Sequence, residues 1–425
     1  MKYLISLFIA LFFQLADADI KIQSIADNEN HLYVKINTLP IIDINLSFDK
    51  GSINDGDSPG LTNLMLNSIM ASNINNKKII SYFEDVGAKL SYSVDKETSS
   101  ITIRSLSNLE QVVRLSSLIN QAILRNDIDE NILNLEKEKI IRKIRESKNS
   151  PGTILESSIS EKLFENSGLS HQIIGNEKSI NNISSKMILS HRNKIFNKNG
   201  LGINIVGDID INDAKKIIRI ISSKLPYLEN PKKNDYQIKK ANYHVEFDSS
   251  QSHLAFIIPT VTRINPDYHN LLVANYIFGG GGFGSWLMKE IREIRGLSYS
   301  VYSYLGSYKN QGYMRVSLQT ENKNLKLTKK IIYEQIDRLK NFNVTEKKIE
   351  IVKRSILKNF EMRTDSNRKV LNLISAVNYL NLPLNYFEDY KNKLMSVNKA
   401  SIRKALESSI NFERISIISV GKSIE

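Results

Sequence analysis

An internal repeat constrains this chain of 425 residues more than any other feature. Leu90-Ser91-Tyr92-Ser93-Val94 recurs 207 residues on as Leu297-Ser298-Tyr299-Ser300-Val301, and Val206-Gly207 recurs 214 residues on as Val420-Gly421. Two matches in the same order, at nearly the same spacing and each in a strand-like context, predict two similar halves. The elements between them mix the two periodicities of helix and strand. Leu32 to Phe48 is rich in Val and Ile and alternates, which gives two strands. Leu61, Leu64, Met65, Ser68 and Ile69 recur at helical spacing, so Gly60 to Ala71 reads as a mostly buried helix. Leu109 to Arg145 reads as long amphipathic helices ended at Ser150-Pro151, and Ile211 to Lys224 as the last helix of the first half. Three more helices are expected at Asn324 to Asn341, Thr345 to Thr364 and Leu371 to Leu380.

Between the halves, Pro226 to Lys240 is polar, with two prolines and several lysines, and reads as a linker (226–240). At the other end, Lys2, the apolar run Leu4 to Phe13 and the small-x-small triplet Ala16-Asp17-Ala18 predict a secretory signal peptide over 1–18. Cleavage near Ala18 would place the mature protein in the periplasm or outside the cell. The apolar run is shorter than the ~20 residues a membrane span needs. The absence of cysteine excludes disulfides, thiolate metal sites and cysteine catalysis, and fits export without dependence on oxidation machinery. The net charge of +13 is spread along the chain rather than gathered in one patch, so no nucleic-acid partner is expected.

The stretch FGGGGFGSWLMKEIREIRGLSYSVYS, from Phe278 to Ser303, carries the most information per residue. Gly279, Gly280, Gly281 and Gly282 let the backbone take positive φ or admit a close neighbour. Leu287, Ile291 and Ile294 fall on one stripe of a following helix, Gly296 ends it, and Leu297 to Tyr304 reads as a strand. Taken alone, Arg292 is a solvated helix residue and Tyr299 a half-buried strand aromatic. Gly279-x-Gly281-x-x-Gly284 formally satisfies the dinucleotide fingerprint. It lacks any acidic residue between Ile294 and Thr320, and Asn270 to Phe278 has helical rather than strand spacing, so nucleotide binding is not expected.

This stretch resembles the C-terminal signature of the pitrilysin/insulinase metallopeptidase family, in its processing-peptidase branch, and the likeness extends over essentially the whole mature chain. In that family a Gly-rich loop and an arginine and tyrosine seven residues apart hold the substrate near a zinc ion supplied by the other half of the site. Arg292 and Tyr299 match that pair. The resemblance implies an α+β fold of two similar halves, 19–225 and 241–425, each a mixed, mostly antiparallel sheet covered on one side by helices, facing each other as a clamshell. Active members carry an inverted zincin motif on the helix that here spans Gly60 to Ala71, with two histidines one turn apart and a glutamate base. The histidine positions hold Asn63 and Asn67 and the glutamate position holds Leu66. A neutral amide is a poor zinc donor and leucine cannot accept a proton, so neither metal nor peptidase activity is expected of this chain alone. Glu136, in NLEKEKIIRKIRE, matches the distant glutamate ligand and reads here as a solvated carboxylate paired with neighbouring lysines. His31, His171, His191, His244, His253 and His269 include no pair at three- or four-residue spacing that could rebuild the motif.

The resemblance therefore implies a non-catalytic, substrate-binding subunit. Arg292, Tyr299 and Gly279 to Gly282 would line a peptide chamber shared with a zinc-bearing homologue, and zinc would sit in the partner only. The alternative is a scaffolding relative with no part in proteolysis.

Overall fold

The computed structural model describes residues 21–25, 30–228 and 236–423. The expected signal peptide lies outside them, as does the middle of the linker. The first half contains strands β1 (Gln23–Ser24), β2 (His31–Lys35), β3 (Ile41–Phe48), a short hairpin of β4 (Asn73–Ile74) and β5 (Lys77–Lys78), then β6 (Lys89–Val94), β7 (Ser99–Leu106) and β8 (Leu201–Gly207). The second half contains β9 (Asn242–Glu246), β10 (Gln251–Thr260), β11 (Val301–Ser307), β12 (Gly312–Glu321) and β13 (Ser416–Gly421).

The two sheets have one topology. The first is ordered β1-β2-β8-β3-β7-β6, the second β9-β13-β10-β12-β11. In each, the first strand of the shared core pairs parallel with the last (β2 with β8, β9 with β13) and every other neighbour is antiparallel. The duplication is real, but only one of the two sequence matches marks equivalent positions. Gly207 and Gly421 end β8 and β13 with φ of 143° and 158°. A Cβ on either would run into the neighbouring strand, at Ile41 O and Ser252 Oγ respectively, so both positions need glycine for the same reason. The Leu-Ser-Tyr-Ser-Val match is out of step. The turn Asp95 to Thr98 after β6 corresponds to the turn Tyr308 to Gln311 after β11, each closed by a backbone hydrogen bond. That aligns Leu90 with Ser303, not with Leu297.

Strand alternation explains how each sheet is covered. In β3, Ile42, Ile44, Leu46 and Phe48 point to one face and join the core formed with the first half's own helices, among them Leu61–Ala71, Leu109–Leu124 and Ile211–Ser222. Asp43 and Asn45 point to the other face, yet they are buried too. That face is covered by a helix of the second half, Asn367–Tyr379. Ser375 Oγ donates to Asn45 Oδ1 at 3.1 Å, and Asn378 Nδ2 donates to Asn204 Oδ1 at 3.0 Å and to Asn30 O at 2.8 Å. Val206, Leu32 and Val34 accordingly belong to the second half's core.

The exchange is reciprocal. The helix Pro151–Leu163 of the first half lies on the second sheet, where Leu155, Ile159 and Leu163 pack with Ala255, Ile257, Ile418 and Val420. Each sheet is therefore covered by its own helices on one face and by one helix of the other half on the opposite face, rather than on one side only. Ser150-Pro151, expected only to break the preceding helix, does more than that. In the structure it starts this exchanged helix: Ser150 is the N-cap, its Oγ accepting from Thr153 N, and Pro151 takes the first helical position, where a missing N–H costs nothing. The described end of the linker departs from a polar tether, because Tyr236 and Ile238 are buried with the exchanged helix.

The helices near the C-terminus are Leu325–Lys340, Glu346–Glu361 and Asn367–Tyr379, close to the expected spans, followed by Tyr386–Ser396 and Lys399–Ser409.

Candidate functional site

The helix Leu61–Ala71 holds the positions of the zinc motif. Its amino end is fixed by Asp55, whose carboxylate accepts from Gly60 N at 2.7 Å and Thr62 N at 2.8 Å. Thr62 Oγ1 also donates to Asp55, so His191 Nε2 carries its proton and donates to Thr62 Oγ1 at 2.8 Å. All three residues are buried, and burial lowers the His191 pKa to about 4 while raising that of Asp55. Aspartate binds the threonine rather than orienting the imidazole, so this buried trio is a helix anchor and not a nucleophilic triad. Sequence reasoning missed it, since its members lie at 55, 62 and 191.

Further along the helix, Asn67 Nδ2 donates to Asn63 O at 2.8 Å and to Asn63 Oδ1 at 3.3 Å. The two amides thus engage each other, and Leu66 is buried. Glu136 lies on the helix Glu130–Ser147, which packs against Leu61–Ala71. It is 7% exposed rather than solvated, because it faces that packed surface, and its Oε1 accepts from Lys139 Nζ at 2.6 Å. Burial, and next the Glu136 charge, raise the pKa of nearby Tyr92. Two amides, a leucine and one carboxylate already neutralised by an ammonium do not fit a zinc ion. Among the described residues no group of three His, Cys, Asp or Glu could hold a metal.

The Gly-rich stretch follows the helix Tyr268–Asn275 and not a strand, which agrees with rejecting the dinucleotide motif. Tyr276–Gly280 and Met288–Ile294 are π-helical, a wider winding with i to i+5 hydrogen bonds that is often found at functional sites. The wider turn explains a departure from the expected stripe: Leu287 and Ile291 are fully buried, but Ile294 rotates out and is exposed. Gly279 is buried, and a Cβ there would meet Ser303 Oγ at 2.5 Å. The loop is tied to β11 through Asn275, which accepts from Ser303 Oγ at 2.7 Å and donates to Ser303 O at 3.3 Å. Gly280 and Gly281 would likewise collide with Asn275 and Tyr276, whereas Gly282, at φ 61°, has open space around it.

Strand β11 begins at Val301, so Tyr299 precedes it in a turn closed by Ser298 Oγ and Ser300, and the residue is 84% exposed rather than half-buried. The Arg292 guanidinium carbon lies 4.5 Å from the centre of that ring and 4.7 Å from the centre of Phe283, which is also exposed. The structure thus brings together Arg292 and Tyr299 and adds Phe283 as a third member. No hydrogen bond, ion pair or ring contact among the described residues joins this group to Asn63, Leu66, Asn67 or Glu136.

A cavity of about 360 Å³ opens beside Tyr299, between the exchanged helix Pro151–Leu163 and the second sheet. Its wall includes Glu156, His253, Tyr302 and Arg315. Arg315 spans the halves, donating through Nη1 to Glu156 Oε2 at 2.7 Å, through Nη2 to Glu156 Oε1, and through Nε to Ser317 Oγ at 2.8 Å. A second link between halves centres on Glu97, which accepts from the hydroxyls of Tyr236 and Tyr379 and from Lys309 N.

Comparison with known proteins agrees with this architecture. Residues 33–177 match the model of the insulinase family, peptidase family M16, and residues 182–356 match the model described as the peptidase M16 inactive domain. The chain is 25% identical over 430 residues, covering 96% of itself and 95% of the relative, to the non-peptidase homolog YmxG of Helicobacter pylori. It is 23% identical to the uncharacterized zinc protease YmxG of Bacillus subtilis, over 64% of this chain and 66% of that one. A crystal structure of a peptidase M16 inactive domain from Pseudomonas fluorescens superposes with a TM-score of 0.87 at 27% identity, covering 96% of this chain and 99% of that one. With both domain models matched in order and the duplicated, helix-exchanging fold in place, this chain belongs to the peptidase M16 (insulinase) family, as a member whose zinc-motif positions carry asparagine and leucine.

Proposed function

We propose that this chain is the non-catalytic, substrate-binding subunit of an exported zinc peptidase, working as a pair with a zinc-bearing homologue. Without zinc donors at Asn63 and Asn67 or a base at Leu66, the chain cannot hydrolyse a peptide by itself. The naming of its relatives as non-peptidase homolog and inactive domain supports that part of the reading. The observation that carries the rest is Arg292: a guanidinium in contact with two exposed aromatic residues, with its donors uncommitted to any carboxylate of the described residues. A residue kept only for folding has no need of that arrangement. Together with the Tyr299 hydroxyl it offers donors to an extended peptide, and to a carbonyl oxygen on which negative charge develops at the partner's zinc. The glycine loop, packed against β11, sets the position of Phe283. Export follows from the pattern of residues 1–18.

The test is co-expression with a zinc-bearing homologue from the same genome, followed by size-exclusion chromatography and a peptidase assay on a mixed peptide library. A heterodimer more active than the homologue alone is the expected result. A chain that pairs with no such homologue, or adds nothing to its activity, would leave the scaffolding reading in its place.

A further inference from the structure

We infer that the Phe283–Arg292–Tyr299 group selects peptides carrying a carboxylate at the position that meets Arg292. The inference rests on the reading of this surface as a peptide contact and adds the chemistry of what it takes. The Arg292 guanidinium carbon lies 4.7 Å from the centre of the Phe283 ring and 4.5 Å from that of Tyr299, and no hydrogen bond or ion pair among the described residues takes up its N–H donors. A planar fork of uncommitted donors matches a carboxylate, whose two oxygens can take two parallel hydrogen bonds; a lone carbonyl oxygen uses only part of it.

Charge points the same way. The neighbouring Arg295 is paired with Glu290, yet Arg292 has no ion pair among the described residues. Contact with two rings also restricts the side chain and strips part of its hydration, which lowers the ordering cost of binding an anion. Phe283 and Tyr299, 66% and 84% exposed, would be covered by the ligand's apolar stem. The carboxylate can come from an Asp or Glu side chain or from a peptide C-terminus.

The experiment is selection of a random nonapeptide library, made with free-acid and with amidated C-termini, on the immobilised full chain. Asp or Glu enriched at one position in both libraries identifies a side-chain carboxylate; retention of the free-acid library alone identifies the terminal one. Replacing Glu by Gln in a selected peptide, or Arg292→Gln in the protein, should weaken binding about ten-fold or more. Arg292→Glu should turn the preference toward Lys and Arg, and Phe283→Ala should weaken binding without changing the preference. Peptides retained with no acidic enrichment, or an acidic preference that survives Arg292→Glu, overturn the carboxylate assignment while leaving peptide binding intact. If no peptide is retained, both readings fall.

Discussion

Acidification should destabilise this protein through His191 in particular. The imidazole side chain is 5% exposed and donates to Thr62, and burial holds its pKa at about 4 against an ordinary 6.5. A depressed folded-state pKa gives stability that is present above pH 6.5 and lost as pH falls through about 4, because the unfolded chain takes up the proton first. The gap of about 2.5 units corresponds to about 3 kcal/mol, most of it gone by pH 4.5. Asp55 acts in the opposite sense, since its raised folded-state pKa favours the folded protein as pH falls through that value. The variant His191→Gln keeps Asp55 and an N–H for Thr62 but removes the titration, so the pH slope of wild type minus variant isolates the imidazole. Urea unfolding followed by far-UV circular dichroism, at pH 7.5 and 4.5, measures it. Each sheet carries a helix of the other half, so a single cooperative transition is expected. Wild type should lose about 2–3 kcal/mol more than His191→Gln between the two conditions. Equal losses would refute the buried neutral imidazole.

Tyr299→Phe should leave folding and pairing intact while lowering the rate of the assembled peptidase ~10²-fold or more, as loss of one transition-state donor does; unchanged kcat at equal dimer content would make the pair structural. Metal analysis of the purified chain should find well under one zinc per molecule, and one tightly held zinc removable together with peptidase activity would contradict the degenerate motif. Lys353 is 3% exposed and donates to Met395 O at 2.7 Å and Val397 O at 2.9 Å, closing the end of the helix Tyr386–Ser396. Lys353→Met should cost ~2–3 kcal/mol by thermal or urea unfolding, because it strands two carbonyls. Gly202→Ala would place a Cβ 2.6 Å from Asn378 Nδ2, and displacing an amide that holds two bonds across the halves should cost ~1–3 kcal/mol in the same assay.

What the sequence by itself determined is whatever depends on neighbours in the chain. Alternation in Ile41–Phe48, helical spacing in Leu61–Ala71 and the loss of imidazole and carboxylate at Asn63, Asn67 and Leu66 are local, and the structure agrees with the elements they predict. The Val-Gly pairs at 206–207 and 420–421 were equally legible, because the same backbone conformation at the same strand end demands glycine twice. The Leu-Ser-Tyr-Ser-Val match misled on position, since strand register is set by pairing across a hairpin and not by resemblance within one strand. One missed element had a local signal, the Ser150-Pro151 helix start, but nothing local says that its helix crosses to the other sheet. Only tertiary structure decided that exchange, which depends on Gly202 admitting Asn378 and on polar Asn45 finding Ser375. It also decided the burial of Glu136, the π-helical winding that turns Ile294 outward, the Asp55–Thr62–His191 anchor and the placing of Phe283 over Arg292. Each depends on packing that leaves no periodic trace in the chain, so the energy that selects them exists only once each half has folded.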